Sequence, residues 1–269
     1  EGKKFSKSRN WGIDAIDFLK QFPADPLRYC LAANLPETRD TDFYWKEFQS
    51  RNNSELADIL GNFINRTFTF VHKHFEGKVP AASKIEDIDK DMIAAIGAYP
   101  AKISEYFEVY KIKDGVNEIM NLARAGNKYF NDSEPWKAVK TDKEKCATTL
   151  NICLQAIYTL AELLSPVVPF TVEKLFKMLN ASPAEWYECG RPGAAGWLKD
   201  GHQLNTAEIL FPKIEDEVIE AQIQQVGKPV ESVPEAAGKK ADTKAGSKND
   251  DGLITIDDFS KVQLKVAEV

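Results

Sequence analysis

The fold of this chain is decided by the stretch CATTLNICLQAIYTLAELL, residues 146–164. Its apolar side chains recur in steps of four and three residues, at Cys146, Leu150, Cys153, Ile157, Leu160 and Leu164. This spacing places them on one face of an α-helix, and Ser165-Pro166 is expected to end it. The stretch therefore predicts a long helix in the core of the protein.

The same periodicity predicts helices on both sides of this stretch. They are predicted at about residues 44–75, from residue 89 or 91 through 107, and at 113–130, 171–180 and 215–226. Near the amino terminus, Asp25 is a good N-cap and Pro26 a good first helical residue. Residues 209–212 are predicted to form a short strand or an extended strap that docks on the bundle. The predicted fold class is therefore all-α, a helical bundle.

The composition changes after residue 226. Residues 227–252 consist mainly of Lys, Ala, Asp, Ser, Gly and Pro, so burial cannot offset the entropy lost on ordering, and we expect a disordered linker. Residues 253–269 resume an alternating β-type pattern that is too short to bury an apolar face alone. The expected domains are residues 1–40, the bundle at 41–226, the linker at 227–252 and a truncated β start at 253–269.

The composition also limits the classes of function. A net charge of −6 argues against a broad basic RNA-binding face and favours local contacts by a few side chains. The longest apolar run is short and interrupted by prolines, and no apolar leader opens the sequence, so we expect a cytoplasmic protein without membrane association. The four scattered cysteines lack a C-x-x-C pair, and His72 and His74 point to different helical faces. These patterns predict no metal site.

The amino-terminal stretch GKKFSKS, residues 2–8, combines three lysines, two serines and a glycine. Ammonium groups and hydroxyls suit the oxygens of a polyphosphate, and a glycine allows a loop to close over its ligand. The alternative is a solvated, lysine-rich tail.

A second group of candidates lies in the bundle. At 100° per residue from the core direction of Leu60, Asn62 falls at about 200° and Arg66 at about 240°, so both face solvent one turn apart. An Asn and an Arg together can read the edge of an unstacked base, and Trp136, between two predicted helices, could provide a stacking surface. The alternatives are solvated polar residues and a tryptophan that plugs the core.

This order of features resembles the end of the catalytic region and the anticodon-binding domain of methionyl-tRNA synthetases, in class I of the aminoacyl-tRNA synthetases. Residues 4–8, KFSKS, resemble the KMSKS signature with Phe5 in place of methionine. Residues 25–31 are similar to the helix that follows it. Residues 55–66 are similar to the anticodon helix, and residues 134–137 to the segment whose tryptophan stacks on the first anticodon base. Residues 253–269 resemble the opening strand of an OB-type tRNA-binding module.

The resemblance implies a bundle of the class Ia anticodon-binding type, within an enzyme that ligates methionine to tRNA(Met) using ATP with Mg²⁺. It implies catalytic roles for Lys4 and Lys7, ATP binding by Lys4, Ser6, Lys7 and Ser8, and recognition of the CAU anticodon by Asn62, Arg66 and Trp136. A homodimer could form through the OB-type module. The nucleotide-binding sheet and methionine pocket would lie upstream, so we expect this chain alone to be inactive.

Two alternative functions remain open. One is another class Ia synthetase, for isoleucine, valine, leucine or cysteine, which the set of Asn62, Arg66 and Trp136 and the OB-type tail disfavour. The other is a non-catalytic tRNA-binding or scaffold protein. A nucleotide-binding domain encoded upstream would exclude the second alternative.

The predicted linker can be tested by limited proteolysis. We expect trypsin to cut first within residues 227–252, where lysines are frequent, and to leave the helical bundle intact. Fragment masses measured over a digestion time course identify the first cuts. A linker that survives longer than the loops of the bundle would contradict the prediction.

Overall fold

The described structure is helical. A computed structural model of the chain describes residues 12–38, 40–184, 186, 189 and 197–225. Within these ranges there are ten α-helices, one π-helical segment and no β-strand, which confirms the all-α prediction. Contacts divide the chain into two units, Glu1–Pro229 and Val230–Val269, and every described residue lies in the first. The predicted linker and β start lie outside the described residues.

The helices follow the predicted order, with bounds that differ by a few residues. They are α1 (Ala15–Gln21), α2 (Ala24–Ala33), α3 (Trp45–Ser50), the π-helical segment (Arg51–Gly61), α4 (Asn62–Phe75), α5 (Asp87–Glu108), α6 (Ile112–Asp132), α7 (Pro135–Thr141), α8 (Lys143–Leu164), α9 (Pro169–Leu179) and α10 (Asp216–Gln225). Two of these, α1 and α7, are short helices that the periodicity did not delimit.

Helix α8 is the centre of the bundle. Every residue from Thr148 to Leu164 is buried, and α4, α5, α6, α7 and α9 all pack against it. In the described part of the chain it is the one helix long and apolar enough to cross a membrane, and 94% of that apolar stretch is buried inside the protein. This degree of burial is what the core helix of a bundle requires.

The polar side chains of α8 hold loops over the core. Asn151 donates to the carbonyl of Pro80 at 2.7 Å. Gln155 exchanges two hydrogen bonds with the backbone of Leu198, both 2.8 Å long. One helix therefore provides apolar packing on all sides and also the hydrogen bonds that a buried polar group needs.

The predicted helix at residues 44–75 contains an unexpected segment. Helices α3 and α4 are joined without a break by the π-helical segment Arg51–Gly61, in which backbone hydrogen bonds span five residues instead of four. A side chain from α6 supports this segment, because Asn127 donates to the carbonyl of Ile59 at 2.6 Å. The π-helical segment ends immediately before Asn62.

The prediction that Asp25 caps the amino terminus of its own helix was wrong. Helix α2 begins at Ala24 after the extended Pro23, which places Asp25 and Pro26 inside the first turn. The buried Asp25 carboxylate instead accepts a hydrogen bond from the backbone N–H of Thr171, in the first turn of α9. It therefore caps a distant helix and joins α2 to α9.

Residues 209–212 were predicted to form either a short strand or an extended strap, and they are not a strand. Leu210 and Phe211 are buried in the main core, and the Pro212 carbonyl accepts from the Asn52 side chain at 3.0 Å. Helix α10 follows, and its Ile219 joins an aromatic cluster with Phe18.

Helices α4 and α6 approach each other closely at a glycine. A Cβ atom built on Gly126 of α6 would lie 2.6 Å from the Cζ atom of Phe63, and the Phe63 side chain is fully buried. No real Cβ contact is that short, so the approach of the two helices requires glycine at this position. This contact sets the distance between α4 and α6.

We predict that Gly126→Ala destabilises the bundle by about 1–2 kcal/mol, because overpacking outweighs the better helix propensity of alanine. Urea unfolding followed by circular dichroism measures the effect. The control is Gly97→Ala, at an exposed position within α5, which should be neutral or stabilising by up to about 1 kcal/mol. Equal effects of the two substitutions would contradict the close-approach argument.

Candidate nucleic-acid interface

Arg66 reaches from α4 across to the end of α6. Its guanidinium carbon lies 4.4 Å above the centroid of the Phe130 ring, and one Nη2 atom donates to the side-chain oxygen of Asn131 at 2.8 Å. The ring of Phe130 is buried beneath it. Because Gly126 brings the two helices together one turn earlier, a long side chain from α4 can cross this boundary. The arginine is thus held in place, and among the described residues no other group accepts a hydrogen bond from its remaining N–H groups.

Trp136 lies beside the same arginine. Its ring centroid is 5.9 Å from the guanidinium carbon of Arg66 and 6.2 Å from that of Phe130, with the two rings tilted by 36°. The side chain is 37% exposed, so it does not plug the core. Trp136 is also not in a loop as expected, since it is the second residue of α7.

The turn before α7 presents the tryptophan. Glu134 adopts a left-handed backbone conformation with φ of 44°, which is uncommon for a residue other than glycine. Pro135 follows as the first helical residue, where its fixed φ and missing N–H are tolerated. This pair of residues reverses the chain after α6 and places Trp136 back over the end of α6.

Asn62 lies on α4, on the solvent side that the sequence predicted. It is exposed, one turn before Arg66, and among the described residues none hydrogen-bonds its side chain. Asp58, one turn earlier, pairs with Lys213 at 2.8 Å. Its negative charge is therefore balanced locally beside the site. The structure brings Arg66 and Trp136 together and places Asn62 at the edge of their surface.

Two residues of this site were not among the sequence candidates. Phe130 was only the end of the helix predicted at 113–130, but it is buried and its ring supports Arg66. Asn131 resembles any other solvent-facing amide in the sequence, and only its contact with Arg66 distinguishes it. No local signal predicts that contact, because it joins residues 65 positions apart.

The arrangement suits an unpaired base. An indole with an exposed face can stack on a base, and a guanidinium fixed beside it can donate to the base edge or to a phosphate. Within the described part of the chain no carboxylate lies within 4 Å of Arg66. The cation is therefore not already neutralised by an ion pair.

The other predicted site residues cannot be placed. Lys4, Ser6, Lys7 and Ser8 lie outside the described residues, so their roles stay predictions. Across the described ranges, no three His, Cys, Asp or Glu side chains are grouped as metal ligands. All four cysteines are buried, and burial raises the pKa of the Cys146 thiol to about 11. A neutral, buried thiol is a packing residue rather than a ligand or a nucleophile.

Comparison with known proteins defines the class. The fold matches the apo crystal structure of Mycobacterium tuberculosis methionyl-tRNA synthetase with a TM-score of 0.69 and 23% identity, over 76% of this chain and 41% of that one. Residues 1–68 match the family of class I (M) tRNA synthetases, and residues 79–228 match the anticodon-binding domain of methionyl-tRNA ligase. The described helices are therefore those of the part of a class I synthetase that includes the helical anticodon-binding domain.

The chain belongs to the methionyl-tRNA ligase family, as its resemblance predicted. It is 45% identical over 273 residues to the methionine–tRNA ligase of Phocaeicola vulgatus and 41% identical over 270 residues to that of Methanobrevibacter smithii. All of this chain is covered in both comparisons, but it spans only 38% of the length of either relative. Membership of this family excludes the alternative that the chain belongs to a synthetase for isoleucine, valine, leucine or cysteine.

The exposed position of Trp136 predicts a small effect on stability. Trp136→Ala should lower the free energy of unfolding by less than about 2 kcal/mol, whereas Phe130→Ala, which empties a buried site, should cost about 3–5 kcal/mol. Urea unfolding of both variants provides the comparison. A similarly large loss in the free energy of unfolding for both variants would mean that Trp136 is a structural plug in the core.

Proposed function

We propose that this chain is the tRNA-recognising part of a methionine–tRNA ligase and that Asn62, Arg66 and Trp136 bind the anticodon. The observation that carries the proposal is the contact between Arg66 and Trp136, which lie in the two separate family matches. A buried plug or a solvated charge would not produce an exposed indole beside a fixed guanidinium. The family membership supports tRNA(Met) as the RNA.

The three side chains have different tasks in this proposal. Trp136 offers a π-face, which stacks on any base and therefore contributes affinity more than sequence selection. Arg66, held by Phe130 and Asn131, donates to the edge of a base in a fixed direction. Asn62 has one acceptor and two donors one turn away, and so complements the pattern of a second base edge.

The proposal extends to the complete enzyme. Lys4, Ser6, Lys7 and Ser8 would bind the ATP phosphates, with Lys4 and Lys7 stabilising the charge that develops there. ATP with Mg²⁺ and methionine would be the other substrates of a cytoplasmic enzyme. The relatives are longer than this chain, and the corresponding further length would supply the rest of the catalytic part. A homodimer through residues 253–269 stays a prediction from the sequence.

The anticodon site can be tested by direct binding. The RNA is a hairpin with the anticodon stem and CAU loop of tRNA(Met), and affinity is measured by fluorescence anisotropy. Trp136→Ala should raise the dissociation constant by roughly ten- to a hundredfold, since loss of one stacked base costs about 1–3 kcal/mol. Arg66→Ala should also reduce the preference for CAU over an altered loop, because it removes a base-edge donor.

The matched control is Phe170→Ala. Phe170 is 61% exposed and follows Pro169 at the start of α9 as Trp136 follows Pro135 at the start of α7. This control should bind the hairpin normally. In the complete ligase, Trp136→Ala should impair tRNA charging while methionine activation stays near normal. Unchanged hairpin affinity in both Trp136→Ala and Arg66→Ala would refute the anticodon site.

A further inference from the structure

Helix α6 carries a continuous outward-facing line of polar side chains. The line consists of Asn117, Asn121, Arg124, Lys128 and Asn131, here called the α6 stripe. At 100° per residue these five positions fall within an arc of about 80°. The opposite face, with Ile119, Ala123 and Phe130, is buried in the core. The stripe therefore points directly away from the bundle.

The α6 stripe contains only residues that can donate hydrogen bonds, and it carries two positive charges. No carboxylate lies within its arc, although the whole chain has 41 acidic and 35 basic residues. The exposed side of α5 is different, since it carries both signs of charge, with Asp87, Asp91, Glu105 and Glu108 beside Lys90 and Lys102. A merely solvated helix face in an acidic protein would be expected to resemble α5.

The two cations of the α6 stripe are accessible to a ligand. Arg124 donates through Nη1 to the Asn121 side chain at 2.9 Å, and within the described ranges no carboxylate lies within 4 Å of it. Lys128 pairs with Asp132, and the lysine side chain is 77% exposed. An exposed pair of this kind is weak, so a phosphate can compete for the ammonium group.

The stripe is continuous with the proposed anticodon site at one end. Asn131 is both its last member and the hydrogen-bond partner of Arg66. From there to Asn117 the helix rises by about 21 Å at 1.5 Å per residue. At the other end of α6, the backbone N–H of Lys113 donates to the Glu37 side chain at 2.8 Å, just after α2. A line of donors thus leads from the anticodon site towards the loop that follows α2.

We propose that the α6 stripe binds the sugar–phosphate backbone of the same tRNA, along the stem that leaves the anticodon loop. Arg124 and Lys128 contact phosphate oxygens, and the asparagine amides contact phosphates and ribose hydroxyls, so the stripe orients the RNA without reading its sequence. The inference rests on the proposed function, because the anticodon site defines where the stem begins. It also explains how an acidic chain holds RNA, through one narrow line of donors.

The test measures hairpin affinity over a range of KCl concentrations for Arg124→Gln, Lys128→Gln and the double variant. Two hairpins are used, with the CAU loop and with an altered loop. Each substitution should weaken binding roughly three- to tenfold at low salt, by the same factor for both hairpins. The slope of log affinity against log salt should decrease by about 0.7–0.9 for each charge removed.

Lys177→Gln is the matched control, because Lys177 forms an equivalent exposed pair with Glu173 four residues away, on α9. It should change neither affinity nor slope. An unchanged slope in the double variant, with binding still sensitive to Trp136→Ala, overturns the α6 stripe and leaves the anticodon site standing. Weakening confined to the CAU hairpin also overturns it, because that result means base reading. Insensitivity to Trp136→Ala instead refutes the proposed function.

Discussion

The rest of the structure depends on the burial of α8 from Thr148 to Leu164. A helix with apolar residues on every side must be covered on every side, since about 25 cal/mol is gained for each Å² of apolar surface removed from water. Five helices provide this cover, and their positions are therefore set by the surface of α8. The buried polar groups of α8 add a second requirement, because each needs a partner from a loop. Asn151 and Gln155 meet it by holding the backbone at Pro80 and Leu198.

The candidate site is a consequence of how two of these covering helices meet. Gly126 lets α6 approach Phe63 of α4, and this short separation allows Arg66 to reach the ring of Phe130. The arginine then has a buried aromatic ring beneath it and an amide beside it. A guanidinium restrained in this way loses less entropy when it binds a ligand than a free surface arginine would. Packing in the core and recognition at the surface are therefore parts of the same contact.

The charge distribution explains how an acidic protein can present an RNA site. Near Arg66, α4 contains no Asp or Glu, and Asp58 of the π-helical segment is paired with Lys213. Because charges separated by more than about 8 Å are largely screened at physiological ionic strength, local arrangement matters more than net charge. A negative total is therefore compatible with a surface that attracts phosphate.

The sequence by itself determined the longer helices, their core faces and the family. Periodicity located α4, α5, α6, α8 and α9 because the apolar face of each helix follows from its own residues. Helical geometry and the family resemblance identified Asn62, Arg66 and Trp136 as candidates. The tertiary structure alone decided the partners of these residues. Three features depend on residues that are distant in the chain. They are the cap that Asp25 provides to α9, the π-helical segment, and the contact of Arg66 with Asn131. A local sequence pattern does not predict which distant group will approach a given residue, because packing around α8 decides that.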